Sequence, residues 1–200
     1  MATLRMNPAA TFDVLAIHGH LRRSIGPISR SELHLFAYLG CLLSLYDRMP
    51  ASEWRYPFAA TQSGAPFSAD LDSAFRDALL DGVISVDVNP ELSQLTTEGD
   101  EELADLSTLL TMKARDRYLE AACATSLMLP VSMAREAVGS DARIKSAATL
   151  QTTRALLTSD WYTDIHSQFD ALRSAVGDAS IDLLAPAVVW VRYFGERESA

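Results

Sequence analysis

The sequence predicts a mainly helical protein that carries a small two-stranded β unit in its first half. Apolar residues recur at the 3.6-residue period of a helix along most of the 200-residue chain. Between residues 83 and 96 the period changes to two and the side chains become β-branched, which is typical of a strand pair. After residue 96 the apolar residues recur only at the helical period. We therefore divide the chain into a first domain of residues 1–110 and a helical domain of residues 111–200.

Capping signals place three helices before the strand pair. Ser29 followed by Glu32 matches the capping-box pattern, in which two side chains satisfy free amide groups at a helix start. Ser68 precedes two aspartates that favour the positive end of a helix dipole, and Gly82 can close the same helix. The predicted helices cover residues 11–23, 31–47 and 68–81.

The turn Asn89-Pro90-Glu91 joins the two predicted strands, and helices account for the rest of the chain. The strands cover residues 83–88 and 92–96, and the later helices cover residues 101–110, 113–129, 131–138, 144–157, 160–176 and 180–194. Pro186 lies inside the last helix or splits it. This helix has little polar face, so we expect it to be buried inside the domain or against another subunit.

An aromatic cluster interrupts the pattern between the second and third helices. Trp54, Tyr56 and Phe58 alternate with other residues, which predicts a short extended segment. Two interpretations remain open for Trp54 and Tyr56. They pack the loop against the core helix, or they form a protein-contact site, since Trp and Tyr are enriched at interface hot spots. Trp190, near the C-terminus, presents the same alternatives.

Three motifs follow one another along the first half: Phe67-Ser68-Ala69-Asp70-Leu71, Leu79-Leu80-Asp81-Gly82-Val83-Ile84 and Leu95-Thr96-Thr97-Glu98-Gly99. This series resembles winged-helix regulators, in which the third helix ends in L-x-x-G-x-I and the second wing strand in L-T-x-x-G. The resemblance covers about residues 11–110 and implies a winged-helix-like module with a helical C-terminal extension. The length and layout also resemble the middle components of bacterial three-component ABC-ATPase systems found among defence genes.

The third predicted helix is acidic where a DNA-reading winged helix is basic. Such a helix enters the major groove and contacts phosphates and bases through Arg, Lys, Asn or Gln. Here the helix contains one basic residue, Arg76, and four aspartates, which are Asp70, Asp72, Asp77 and Asp81. Each close approach of a carboxylate to a phosphate costs on the order of 1 kcal/mol. We therefore expect either a solvated acidic face or a docking face for a basic protein surface, and DNA reading through this helix is the least favoured alternative.

Basic residues cluster instead after the strand pair, at Lys113, Arg115 and Arg117. They are interleaved with Asp116, which favours a solvated helix face with ion pairs, although a nucleic-acid-binding patch is the alternative. The formal net charge of −9 is spread along the chain, with 7 basic and 12 acidic residues in the first hundred and 10 and 14 in the second. This excess of acid removes most of the driving force for binding a polyanion.

Motifs for catalysis or for metal binding are lacking. His18 and His20 are two residues apart, and on a helix such positions point in different directions, so the pair cannot share a metal as histidines four apart can. The sequence contains no glycine-rich phosphate loop, no G-x-S-x-G and no C-x-x-C. We therefore expect no enzymatic activity, no cofactor and no metal.

The two cysteines indicate a reducing compartment. Cys41 and Cys123 both lie in apolar runs, where a free thiol behaves as a small buried hydrophobic group. The first ten residues lack the pattern of a signal peptide, and no run reaches the ~20 apolar residues of a membrane span. We expect a cytoplasmic protein that does not enter the membrane.

These observations favour a non-catalytic adaptor or subunit of a bacterial multi-protein complex, of the anti-phage defence type if the second resemblance holds. The expected partner is a protein, and self-association through the apolar last helix is a further expectation. The alternative is a dimeric winged-helix transcriptional regulator that binds DNA through another face.

Overall fold

The computed structural model describes residues 7–176 and 182–196, with the backbone alone at 159–164 and 176. This part of the chain is mainly helical and contains two small antiparallel sheets, so the predicted fold class is confirmed at that level. The helices are α1 (Pro8–Leu21), α2 (Arg30–Tyr46), α3 (Ala69–Leu80), α4 (Thr97–Leu106), α5 (Leu110–Ala124), α6 (Val131–Gly139), α7 (Ala142–Thr149), α8 (Ser159–Val176) and α9 (Leu184–Glu196). The strands are β1 (Ile28–Ser29), β2 (Ala59–Ala60), β3 (Pro66–Phe67), β4 (Ile84–Val86), β5 (Leu92–Leu95) and β6 (Arg154–Ala155).

The first sheet has the strand order β1-β5-β4, and both neighbouring pairs are antiparallel. The predicted strand pair is confirmed as the β4–β5 hairpin, in which Ile84 lies opposite Leu95. The third strand was not predicted, because β1 has only two residues and shows no period. Ile28 of β1 pairs with Ser93, so the loop between α1 and α2 forms the sheet edge.

Helix α2 begins at the predicted capping box. The Ser29 side chain accepts the Glu32 N–H, and the Glu32 carboxylate accepts the Ser29 N–H at 2.8 Å. From Leu33 to Tyr46 every residue of α2 is buried. Helix α1 begins earlier than predicted, because the Asn7 side chain caps it and Pro8 occupies its first turn, where the missing N–H has no consequence.

The second sheet corrects the prediction of one helix over residues 144–157. Helix α7 ends at Thr149, and the chain then enters β6, where Ala155 pairs with Ala59 of β2. Gln151 and Leu157 have φ angles of 50° and 59°, which a helix does not allow. Helical periodicity could not reveal this strand, because its partners lie about a hundred residues earlier in the chain.

The two predicted domains share one hydrophobic core. Helix α5, which opens the second half, packs against both α1 and α2, and its Tyr118 and Leu119 are buried there. Helix α9 packs chiefly against α6, with Gly195 lying against Met133. Pro186 lies in the first turn of α9, where it breaks no helical hydrogen bond, and the predicted start at residue 180 lies outside the described residues.

Replacing Gly99 by alanine should destabilise the protein by about 3 kcal/mol, because the new Cβ would meet the Val83 carbonyl oxygen at 2.0 Å and the backbone cannot yield cheaply. Gly139→Ala is the matched control, since a Cβ there meets nothing within 4 Å and should be neutral or stabilising. Urea unfolding of both variants measures the difference. Equal stability of the two would contradict the close approach of α4 to the Val83 carbonyl group, which directly precedes β4.

Candidate protein-interaction face

Helix α3 is fixed to the protein by a buried carboxylate. Asp72 is only 4% exposed, so it does not belong to the acidic surface to which the sequence assigned it. One of its oxygens lies 2.5 Å from an Arg30 guanidinium nitrogen, and the other accepts a hydrogen bond from Arg76. A buried carboxylate needs such partners, because desolvation of an unpaired charge is costly. Arg30 and Arg76 therefore share this one carboxylate, while their own side chains remain 47% and 65% exposed.

His34 of α2 holds the start of α3 from the other side. Its Nδ1 accepts the Ser68 N–H at 3.2 Å, its Nε2 lies 3.9 Å from Asp72, and its ring packs on Phe67. Burial lowers the pKa of His34 to about 4, against a smaller opposing effect of Asp72. The ring is therefore neutral at pH 7. Ser68 occupies the predicted cap position, but its hydroxyl makes no capping hydrogen bond.

Three of the four predicted aspartates face outward. Asp70, Asp77 and Asp81 are spaced by seven and four residues, which places them on one side of the helix. Asp81 is exposed and the other two are half-buried, and among the described residues none of the three forms an ion pair or a side-chain hydrogen bond. The outer side of α3 is therefore acidic, since Arg76 and Arg30 share Asp72 and leave one surplus positive charge against these three carboxylates.

The β4–β5 turn extends this surface and adds apolar groups to it. Asp87 is half-exposed and Glu91 is exposed, and no basic residue occurs between β4 and β5. Val88 is 99% exposed at the tip, and Leu80, at the end of α3, is 84% exposed. We call α3, this turn and the adjoining α4 the acidic face.

Helix α4 belongs to the acidic face because its first turn is fixed beside the end of α3. The Thr96 hydroxyl donates to the Gly82 carbonyl oxygen at 2.9 Å and accepts the Gly99 N–H at 3.1 Å. The acidic residues of α4 are Glu98, Asp100, Glu101, Glu102 and Asp105, and it has no lysine or arginine. Asp100 pairs with Arg22, and no other carboxylate of α4 forms an ion pair with a described residue.

Trp54 and Tyr56 lie in the core, which corrects their assignment as interface candidates. Trp54 is 2% exposed, and the Arg115 guanidinium carbon lies 3.7 Å from its ring centroid. Arg115 in turn makes a bidentate pair with Asp13, with one N–O distance of 2.6 Å, and the Tyr56 hydroxyl donates to the same carboxylate. Burial raises the pKa of Asp13, and Arg115 opposes this effect. The aromatic side chains thus complete a buried ion pair between α1 and α5.

The three residues of the predicted basic patch, Lys113, Arg115 and Arg117, do not form one exposed surface. Arg115 is buried in the pair with Asp13, whereas Lys113 and Arg117 are exposed. The Arg117 guanidinium lies 2.9 Å from the Asp47 carboxylate. Of these three residues, only Lys113 and Arg117 are exposed to solvent, and Arg117 is paired with Asp47.

Trp190 is half-buried where α9 meets α8 and α2, close to Phe194. It contributes to the core more than to a surface, although its neighbours Val189 and Tyr193 are 42% and 55% exposed.

The other candidate side chains, His18, His20, Cys41 and Cys123, are buried in the core or pair with a neighbouring side chain. His18 is buried between the Val14 carbonyl and the Ser93 hydroxyl, while His20 pairs with Asp116. Cys41 and Cys123 are buried free thiols. Within residues 7–176 and 182–196 no three His, Cys, Asp or Glu side chains are grouped to hold a metal. None of the described helices is both long and apolar enough to cross a membrane.

No protein-family model, curated protein or solved structure matches this chain. Its function must therefore be inferred from its own geometry.

Two features of the acidic face escaped sequence reasoning. Leu80 continues an apolar sequence, Leu79-Leu80, and only its position opposite the buried stripe of α3 indicates that it points outward. The burial of Asp72 had a possible signal, since Arg76 follows four residues later and Arg30 begins the helix that packs below.

Arg115→Met should lower the free energy of unfolding by about 3–5 kcal/mol, because it leaves the Asp13 carboxylate buried without its partner. Arg117→Met, two residues away but in an exposed pair with Asp47, should cost at most about 1 kcal/mol. Denaturant unfolding compares them. The buried pair would not be a main constraint on the fold if the two variants lost the same stability.

Stability should fall as the pH drops from about 6.5 towards 4. Burial lowers the pKa of His18 and of His34 to about 4, whereas an unfolded histidine takes up its proton near 6.5. Each ring then favours the unfolded state by up to about 1.4 kcal/mol per pH unit in that window. His34→Asn keeps an acceptor for the Ser68 N–H and should show a slope smaller by one proton. An unchanged slope in unfolding curves from pH 7 to 4.5 would contradict this.

Proposed function

We propose that this protein is a non-catalytic protein–protein interaction adaptor, or a subunit of a bacterial complex, that docks a basic partner on its acidic face. One observation carries the proposal: Arg30 and Arg76 are both directed onto the buried Asp72, whereas Asp70, Asp77 and Asp81 face outward without partners. Arg30 and Arg76 share that one carboxylate and leave one surplus positive charge, so the carboxylates of α3, the β4–β5 turn and α4 still outnumber the cations of the face.

A winged-helix arrangement of the first half is part of this proposal. The succession α1, β1, α2, α3, β4, β5 supports it, with the β2–β3 strand pair inserted between α2 and α3, as does the sheet order β1-β5-β4. In that arrangement α3 would be the recognition helix and the Asp87–Glu91 turn the wing. Both elements are acidic, so the surface that reads DNA in other winged helices would here meet a basic protein.

Leu80 and Val88 supply the apolar part of the docking surface. A charged surface gives orientation and fast association, but affinity usually depends on a few side chains that become desolvated in the complex. The acidic rim and these two exposed side chains together fit a partner that presents Lys or Arg around a shallow apolar depression.

The proposed setting is the cytoplasm, in agreement with the free thiols of Cys41 and Cys123. The resemblance to middle components of three-component ABC-ATPase systems makes a defence-type complex the proposed assembly. Self-association through α9 is compatible with this setting, since Val189 and Tyr193 are exposed there.

Charge reversal on the acidic face should abolish partner binding without unfolding the protein. We expect Asp77→Lys with Asp81→Lys to lose at least tenfold in the amount of partner recovered by affinity purification from the native host. The reason is that both side chains face outward and would repel a basic surface. Glu53→Lys with Glu120→Lys changes the charge equally at exposed positions elsewhere and should retain the partner.

Leu80→Ala tests the apolar contribution separately, with the expectation of weaker binding and unchanged melting temperature. Equal loss of partner in both charge-reversal variants would contradict a localised acidic face. A salt-titrated gel shift on the upstream region of the gene examines DNA binding. Tight, salt-sensitive binding of the duplex by the unmodified protein would overturn the adaptor function in favour of a regulator.

A further inference from the structure

A cavity of about 470 Å³ lies where the start of α1, the segment between α2 and β2 and the start of α5 meet. None of its lining residues belongs to the acidic face. Its volume is within the range of small-molecule sites, which is roughly 300–1,000 Å³. Most of the lining is apolar, and the apolar side chains are those of Pro8, Ala9, Met49, Trp54, Met112 and Ala114. Apolar walls with a few polar groups are typical of a ligand site.

Arg115 presents an unpaired end of its guanidinium to this cavity. Its Nε and Nη2 atoms donate to Asp13, so the buried pair uses one edge of the planar group and leaves other N–H bonds without an acceptor. The Nη1 atom forms no hydrogen bond with a described residue, and it is not fully enclosed by protein. Since the side chain is only 8% exposed and lines the cavity, its exposed end faces the cavity.

The free end of Arg115 favours a ligand with two acceptor oxygens. A polar group that is mostly withdrawn from water is costly when it has no partner. The parallel N–H bonds of a guanidinium match the two oxygens of a carboxylate. The Trp54 ring holds the guanidinium in place, because its centroid lies 3.7 Å from the guanidinium carbon. A bound carboxylate would therefore meet a group that is already oriented between Asp13 and Trp54.

Arg55 adds a second cation at the rim of the cavity. Its side chain is exposed and makes no ion pair or hydrogen bond with a described residue. Its φ angle is 70°, a left-handed conformation that residues other than glycine adopt at a cost. The Asn7 side chain fixes this conformation by donating to the Arg55 carbonyl oxygen at 3.0 Å. The rim is thus held in an unfavourable backbone conformation, which is more frequent at ligand sites than elsewhere.

The charges around the cavity favour a ligand with one negative charge. Arg55 and Arg115 contribute two positive charges, which Asp13 and the exposed Glu53 balance. A single ligand carboxylate can pair with the two arginines in these surroundings. A dianion such as phosphate would add a second charge that the two carboxylates of the protein repel.

We propose that this cavity binds a small monocarboxylate with a flat apolar body, whose carboxylate pairs with the free end of Arg115 and with Arg55. The apolar body would lie against Met49 and Met112, since methionine side chains adapt to aromatic rings. A cavity of about 150 Å³ holds benzene, so this larger cavity has room for two fused rings and a carboxylate. The proposal is independent of the acidic face and of its protein partner.

The probe for this site is 2-naphthoate, and 2-naphthamide is its neutral counterpart of the same size. We expect a Kd on the order of 0.1–1 mM for the carboxylate, as a ligand of about thirteen heavy atoms allows. The amide should bind about tenfold more weakly, because it loses the charge-assisted hydrogen bonds to arginine. Isothermal titration calorimetry gives both values. Inorganic phosphate should not compete with 2-naphthoate.

Methionine methyl signals in nuclear magnetic resonance spectra would locate the bound probe. Those of Met49 and Met112 should shift on titration with 2-naphthoate, because both side chains line the cavity. Those of Met128 and Met133 should stay unchanged, because neither side chain belongs to the lining.

Substitutions at the rim test the site without breaking the pair of Arg115 with Asp13. Arg55→Gly should weaken 2-naphthoate binding about threefold to fivefold and leave stability unchanged, since glycine adopts a positive φ readily. Glu53→Gln should strengthen binding about twofold, because it removes a repelling charge. Arg117→Met is the matched control, since it removes a cation from an exposed pair outside the cavity and should leave the affinity unaltered.

Equal affinities for 2-naphthoate and 2-naphthamide would refute the proposal, and so would unshifted methyl signals of Met49 and Met112. The same affinity in the Arg55→Gly and Arg117→Met variants would refute it as well. Competition by inorganic phosphate would replace it with a general anion site. Each of these measurements is made on the protein without its partner, so a failure here would leave the docking function of the acidic face untouched.

Discussion

The bidentate pair between Asp13 and Arg115 is the interaction on which the rest of the structure depends. Taking two charges out of water is favourable only if they meet with good geometry and with their remaining hydrogen bonds satisfied. Here the Tyr56 hydroxyl and the Trp54 ring complete the surroundings, so α1, α5 and the loop between α2 and α3 must converge on one point. These segments are separated by up to 102 residues. Two helices that touch only through apolar side chains can shift relative to each other at little cost. The directional hydrogen bonds between Asp13 and Arg115 instead fix the position of α5 on α1.

The same pair joins residues on the two sides of the predicted domain boundary. A boundary near residue 110 is reasonable from the change of period, but α5 carries Arg115 into the core of the first half. The loop that carries Trp54 also continues into β2 and β3, and β2 pairs with β6 of the second half. The first half therefore contacts the second at two places, through Arg115 and through the β2–β6 pair, whereas α3 packs on α1 within the first half.

Elements with strong local signals were predictable, and groups whose role depends on distant partners were not. The capping box at Ser29 and the β4–β5 hairpin act within a few residues, so the sequence shows them directly. Asp72 and Arg115 look like surface residues in a periodic pattern, because a charge in a helix is usually solvated. Only the three-dimensional arrangement brings each to its counter-charges. Of the candidate face, the acidity of Asp77 and Asp81 could be predicted, but not that Arg30 and Arg76 both pair with Asp72.

Helix α2 connects the acidic face with the core. Arg30, His34 and Tyr38 are spaced by four residues and so lie on successive turns of nearly one side of the helix. The first two hold Asp72 and Ser68 at the start of α3, and the third is buried with its ring edge-on against Phe58. The start of α3 therefore cannot shift along α2 without losing the contacts of Arg30 and His34, so the packing of α2 in the core also sets the position of the acidic face.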